Sequence, residues 1–277
     1  MITAKKYIRE FVKPIVEKIT RFRAGKLMNR FSFLEEETII DKYLDRLPLS
    51  NKFCVDIAAS DGISMSNTYF LYKKGWNGIA VECDPVKFAS LSNSYKVFSD
   101  VNLVKAKVTP ENVVFLLKAC RCPTDFAFLN LDIDSYDYFV LDKLLDNFRP
   151  SLICLEINEK IPPPISFTVK YIPEHFWKGD HFYGQSISRC YKLCKKYNYD
   201  IVELCYNNMF IIPKEINKQK ALSPEVAYKN GYKNKADRRD RFPWNSDMEY
   251  LLSMSKNDGK KFINNKFNKY KGMYILE

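Results

Sequence analysis

Histidine is nearly absent, with two in 277 residues, and glycine is scarce, with nine. The first shortage confines near-neutral imidazole chemistry to His175 and His181. No stretch approaches the roughly twenty apolar residues needed to cross a bilayer. The N-terminus also lacks the short apolar run and small-residue cleavage site of an export signal, so a cytoplasmic location is expected. Eight cysteines are present, but none forms a C-x-x-C knuckle. Cys120/Cys122 and Cys190/Cys194 are therefore read as buried free thiols in a reducing compartment rather than as a zinc site. Hydrophobic residues make up 46% and charged residues 28%, an ordinary globular balance that argues against disorder.

The net charge of +11 is unevenly placed. Asn51 to Pro213 carries 18 basic and 18 acidic residues, whereas residues 1–50 are +4 and residues 214–277 are +7. A neutral core with basic flanks fits an anionic partner met outside the core. It also fits a lysine-rich solvated surface.

Three regions follow. Residues 1–50 form a basic helical extension, in which Ile8, Phe11, Val12, Ile15, Val16, Ile19 and Phe22 recur at helical spacing and Pro14 interrupts. This stripe is expected to attach to a second subunit or to an anionic membrane surface. Glu35 to Leu47 reads as a second amphipathic helix. Residues 51–213 alternate short apolar strands with helices: Phe53–Ile57, Gly78–Glu82, Val101–Ala106, Asp125–Asp132 and Ser151–Ile157, with Thr109 expected to cap a helix from Pro110 to Cys120. Continuous apolar runs of this kind suit a parallel sheet covered on both faces. Asn158 to Tyr183 breaks the rhythm with four prolines, and five aromatics in its later half (Tyr171, Phe176, Trp177, Phe182 and Tyr183) suit an ordered lid. A helix and a tight hairpin (Asp200–Cys205, Met209–Pro213) close the region. Residues 214–277 read as a basic tail, helical in pieces.

The first strand ends in Val55-Asp56-Ile57-Ala58-Ala59-Ser60-Asp61-Gly62, and the second in Val81-Glu82-Cys83-Asp84. A ligand on the carboxyl edge of a parallel sheet suits this pattern, with Glu82 placed to accept ribose hydroxyls 26 residues after Asp56. A dinucleotide pyrophosphate needs three glycines in the turn for close approach, and only Gly62 is there. S-adenosyl-L-methionine (SAM) carries no phosphate, and Asp56 can meet its charged amino-acid end. The turn therefore favours SAM.

VDIAASDG (55–62), GIAVECDP (78–85), FLNLDIDSYDY (128–138), CLEIN (154–158) and FYGQS (182–186) together resemble the class I SAM-dependent methyltransferases, and within them the FkbM-like enzymes of bacterial glycan and natural-product clusters. The resemblance implies an α/β, Rossmann-like methyltransferase fold with a mostly parallel seven-stranded sheet, order 3-2-1-4-5-7-6, strand seven antiparallel. It implies cofactor contacts at Asp56, Ala58, Ser60, Asp61, Gly62, Glu82, Cys83, Val108 and Asn130. Ala58 departs from it, since the family usually has glycine there.

Strands four and five are neighbours in that order, so Asp132, Asp134 and Glu156 converge. They are candidates to hold magnesium or manganese, as in catechol-type O-methyltransferases. Asp134 or Ser135 can instead cap the next helix, and Asp137 suits its first turn. His181, His175 and Asp132 are the candidate catalytic residues, with His181 preferred as base because it adjoins FYGQS. The expected acceptor is a small, anionic molecule methylated on oxygen, such as a nucleotide-activated or phosphorylated precursor of capsule polysaccharide. Two alternatives stand beside it: an NAD-dependent oxidoreductase, and an RNA-binding protein or RNA methyltransferase using Lys229 to Arg241 with Tyr232, Phe242 and Trp244. Asp237 and Asp240 within that last cluster argue against nucleic acid.

Overall fold

The computed structural model describes residues 30–277; the expected amphipathic stripe of residues 5–26 lies outside them. The described chain begins with helix α1 (Glu36–Leu44) and then alternates β1 (Phe53–Ile57), α2 (Tyr69–Lys73), β2 (Asn77–Glu82), α3 (Pro85–Tyr95), β3 (Val101–Lys105), α4 (Val113–Ala119), β4 (Phe128–Leu131), α5 (Asp137–Leu145) and β5 (Leu152–Glu156). After β6 (Phe167–Val169) and α6 (Ile187–Lys196) come β7 (Tyr199–Cys205) and β8 (Asn208–Pro213). The tail holds α7 (Pro224–Tyr228), α8 (Arg238–Arg241), α9 (Lys256–Lys266) and β9 (Tyr274–Leu276).

Seven strands form one sheet in the order β3-β2-β1-β4-β5-β8-β7. β1 to β5 are parallel, and β8 runs antiparallel to both β5 and β7. Counted within the sheet, this is 3-2-1-4-5-7-6 with strand seven reversed, the Rossmann-like methyltransferase order. β4 and β8 are buried along their whole length and are apolar but for one polar residue each, Asn130 and Asn208. Only Tyr206 and Asn207 separate β7 from β8. Tyr206 adopts a left-handed φ of 52°, the geometry that a tight hairpin turn requires.

The segment after β5 contains a strand that its sequence does not announce. β6 pairs antiparallel with β9 at the end of the tail. Ile161, Ile165, Phe167, Val169 and Phe182 share a second core with Met248, Leu251, Ile263, Phe267 and Tyr270. Phe182 stacks on Tyr270 at 3.9 Å. Each such side chain withdrawn from water contributes on the order of 1.5–3 kcal/mol, so the tail holds the lid in place.

Two expected caps differ. Asn112, not Thr109, precedes the helix after β3, and its Oδ1 accepts from the Thr109 N–H at 2.8 Å. Before α5 neither Asp134 nor Ser135 caps; Asp137 accepts from the Ile133 and Ser135 amides at 2.8 and 3.0 Å. A side chain within the first turn reaches those amides without needing a residue ahead of the helix. The cysteines are all free thiols.

Candidate functional site

Parallel strands end together, so the loops after β1 to β5 share one edge of the sheet. The turn after β1 is held tightly there. Ala58 and Ala59 both donate their N–H groups to the Val81 carbonyl at 2.9 Å. Ala58, Ser60 and Gly62 take φ values of 71°, 53° and 81°. A left-handed alanine is strained, and glycine would take the conformation of Ala58 freely. At Gly62 a Cβ would stand 2.5 Å from the Tyr95 ring and 2.6 Å from Leu91, so only glycine fits. Asp61 folds back on its own loop, accepting from the Ile63 and Ser64 amides at 3.0 and 2.7 Å.

Glu82 ends β2 and is 5% exposed. Its Oε1 accepts from the Cys83 and Asp84 amides, both at 2.8 Å, and its Oε2 from Ser60 N–H at 2.8 Å. Acceptor capacity for a sugar hydroxyl therefore remains on Oε2. Asp84 then caps α3 through the Val86 and Lys87 amides. Cys83 is exposed beside it, while Val108 is buried after β3 and its carbonyl accepts the Tyr136 hydroxyl at 3.0 Å.

Asp56 is 2% exposed. Thr68 Oγ1 donates to its Oδ2 at 2.6 Å, and Asn130 Nδ2 to its Oδ1 at 2.9 Å. Burial pushes the Asp56 carboxyl up, and those two hydrogen bonds pull it back. Strand register puts Asp56, Asn130 and Cys154 in one row across β1, β4 and β5. One pleat nearer the edge come Asp132 and Glu156, on the same face by alternation.

Asp132, Asp134 and Glu156 do converge, with carboxylate oxygens all within 4.8 Å of one another. Burial and then mutual repulsion push Asp132 and Glu156 well above the ordinary carboxylate range. Asp134, at a left-handed φ of 56°, is also pushed up by burial, while Glu156, Lys87 and Lys160 pull it back. Glu156 Oε1 accepts from Asn207 Nδ2 at 2.9 Å. Three carboxylates so close either share protons or gather round a cation. Lys160 does not answer that need alone, because Glu159 holds it at 3.2 Å and it donates to the Tyr183 hydroxyl at 2.6 Å. The donor set is all oxygen and suits a hard divalent ion.

The two histidines part company. His175 is buried against Phe182 and Tyr270, its ring centroid 5.5 and 6.3 Å from theirs, and its Nε2 has no partner among the described residues. It belongs to the apolar core of the lid. His181 Nε2 stands 2.9 Å from Asp247 Oδ1 in the tail, and Asp247 Oδ2 meets Lys266 at 2.5 Å. Burial first, then Lys160, hold His181 below its usual value, so its imidazole is neutral at pH 7. Neither histidine is a member of the carboxylate cluster.

Several participants carry no sequence signal: Asn67 and Thr68 on an irregular loop, Lys160 at the start of the segment after β5, and Asp247 in the tail. The basic tail cluster is largely neutralised. Arg238 and Arg239 pair with Glu249, Arg241 with Asp237, and Lys235 with Glu35.

No protein-family model matches the chain, and no curated protein matches it. Solved structures of similar fold include the N-terminal domain of EvdMO1 with SAH bound, 10% identical with a TM-score of 0.44 over 65% of this chain and 81% of that one. An S-adenosylmethionine-dependent methyltransferase from Clostridium acetobutylicum is 10% identical, TM-score 0.42, over 72% and 99%. Streptomyces venezuelae DesVI is 11% identical, TM-score 0.40, over 71% and 98%. At these levels the argument for function comes from the site.

Proposed function

We propose that the chain is a SAM-dependent methyltransferase acting on a small acceptor held at the ends of β4 and β5. The observation that carries the proposal is the pairing of two features on one edge. A buried Glu82 locks the glycine-poor turn through Ser60 N–H, and the sheet beyond it has the reversed β8 between β5 and β7. Ala58 and Ser60 put side chains where a dinucleotide pyrophosphate would need to approach. In this reading Glu82 Oε2 accepts a ribose hydroxyl, and the loops carrying Cys83, Val108 and Asn130 border the adenosine. The bound cofactor supplies an already activated methyl group, so the protein's work is alignment and exclusion of water. The lid, tied down by Lys107 at the Pro173 carbonyl and over the Phe176 ring at 3.8 Å, suits that second task.

Asp132, Asp134 and Glu156 would hold magnesium or manganese, which would neutralise them and attract acceptor oxygens. An anionic acceptor, phosphorylated or nucleotide-activated and destined for surface glycan, accords with this only through such a cation, because bare carboxylates would repel it. The FkbM-like motifs and the basic flanks support that acceptor class. His181, oriented by Asp247, is the base for an acceptor that is not already ionised.

Calorimetry with SAM, S-adenosylhomocysteine and NAD tests the core of the proposal. Binding of the first two and not the third is expected. Tight NAD binding without SAM binding would replace the reading with an oxidoreductase.

A further inference from the structure

Asp56, Asn130 and Asn67 form a line of side chains whose hydrogen bonds run in one direction. A carboxylate only accepts, so the contact at Asp56 Oδ1 must come from Asn130 Nδ2, 2.9 Å away. That fixes the Asn130 amide and leaves its Oδ1 to accept from Asn67 Nδ2 at 3.0 Å. The same Asn67 nitrogen lies 3.8 Å from Cys154 Sγ. Asn67 is thereby oriented in its turn, and among the described residues its Oδ1 is left without a donor although the residue is 8% exposed. A buried amide oxygen with no partner is costly to keep, and structures retain one where something else supplies the proton.

The location says what that something is. Asn67 sits between the turn after β1 and α2 and reaches across the row Asp56, Asn130, Cys154 as far as β5. Glu82 stands on β2, to one side of that row, and the Asp132–Glu156 cluster lies one pleat nearer the edge. A methyl donor with its adenosine at Glu82 and its acceptor at the cluster must lay its sulfur and amino-acid arm over this row. The arm ends in an ammonium, which has three N–H donors and no acceptor. Asp56 already receives Thr68 and Asn130 on its two oxygens, while Asn67 Oδ1 receives nothing.

We infer that Asn67 Oδ1 is the ligand of the cofactor's ammonium group, with Asp56 acting behind it through Asn130. The carboxylate polarises both amides, so Asn67 presents a more negative oxygen than an isolated amide does. The inference rests on the SAM reading above. It makes Asn67 the residue that distinguishes a full cofactor from one lacking its amino-acid arm.

The test compares S-adenosylhomocysteine with 5′-methylthioadenosine, which keeps the adenosine and lacks the arm, by calorimetry on wild-type protein, Asn67→Ala and Asn67→Ser. Wild-type protein should bind both. Either variant should bind S-adenosylhomocysteine about tenfold or more weakly, the size expected for losing a hydrogen bond to a charged group, and should bind methylthioadenosine as before. Unchanged binding of both ligands, or an equal loss for both in each variant, would overturn the role of Asn67. Wild-type protein that binds neither ligand would overturn the cofactor reading itself.

Discussion

The backbone N–H of Ser60 donates to Glu82 Oε2 at 2.8 Å, so the turn after β1 and the end of β2 are held by one carboxylate. The bond explains how a loop with little glycine keeps three left-handed residues in place. Glu82→Ala should therefore do two things at once. It leaves the Ser60, Cys83 and Asp84 amides without their partner, at a cost of about 1–3 kcal/mol, and it removes the ribose acceptor. A lower unfolding temperature together with loss of S-adenosylhomocysteine binding is expected. Glu82→Gln, which can still accept, should recover part of the stability and less of the binding. Full binding by the alanine variant would take Glu82 out of the site.

Ala58 offers the opposite sign. Its φ of 71° is strained for any residue with a Cβ, whereas glycine adopts it freely and loses some stability through the unfolded chain. The balance favours Ala58→Gly by about 0.5–1 kcal/mol, measurable as a rise in unfolding temperature. A fall would mean that the Ala58 methyl packs usefully enough to outweigh its backbone strain.

The sheet was legible because each of its seven strands announces itself locally. Buried parallel strands need largely apolar runs, and a three-residue gap between Cys205 and Met209 allows little except a hairpin. Asp56, Glu82 and the acidic cluster were legible for a related reason, since strand order alone sends strand ends to a common edge. Side chains arriving from outside the alternation were not legible. Thr68 and Asn67 reach Asp56 and Asn130 from an irregular loop with no period to read. β6 and β9 are three residues each, separated by more than a hundred, and each is too short to show alternation without its partner. His175 looked like a base because it lay in a lid; its burial against Phe182 and Tyr270 depends on a tail whose path no local pattern reveals.

The two histidines should separate cleanly in mutagenesis. His175→Phe keeps the ring, removes a buried nitrogen without a partner, and should leave turnover intact with equal or greater stability. His181→Ala should lower turnover, and less so with acceptors that are already ionised. The environment of His181 holds it below its ordinary value of about 6.5, and its Nε2 is committed to Asp247, leaving Nδ1 to take the proton. The rate should therefore be flat above pH 6.5 and decline only below it. Asp247→Asn should move that acid limb, because the carboxylate raises the proton affinity of the imidazole. An unmoved limb, or normal turnover in His181→Ala, would remove His181 from the chemistry.

The carboxylate cluster makes a prediction whose sign follows from linkage. Asp132, Asp134 and Glu156 bind protons more tightly in the folded protein than in the unfolded chain, as does Asp137, which burial pushes up to about 6. Groups raised in this way stabilise the fold fully below their unfolded values, near 4, and lose that contribution as pH rises through the folded ones. Carboxylates elsewhere, Glu159 and Asp180 among them, shift downward and act oppositely, so a difference measurement is needed. Asp132→Asn removes one charge from the cluster while keeping its shape. Its unfolding temperature should match the wild type at pH 4.5 and exceed it at pH 8, by a few degrees for a gain of about 1 kcal/mol. Magnesium or manganese should supply the same relief to the wild type at pH 8, should do so weakly at pH 4.5, where protons already neutralise the oxygens, and should lose most of its effect on Asp132→Asn. A chelator should then abolish turnover while S-adenosylhomocysteine still binds. If divalent ions shift nothing at either pH, the cluster is a proton-sharing device rather than a metal centre. If alanine at Asp132, Glu156 and His181 also leaves turnover whole, the acceptor binds away from the ends of β4 and β5.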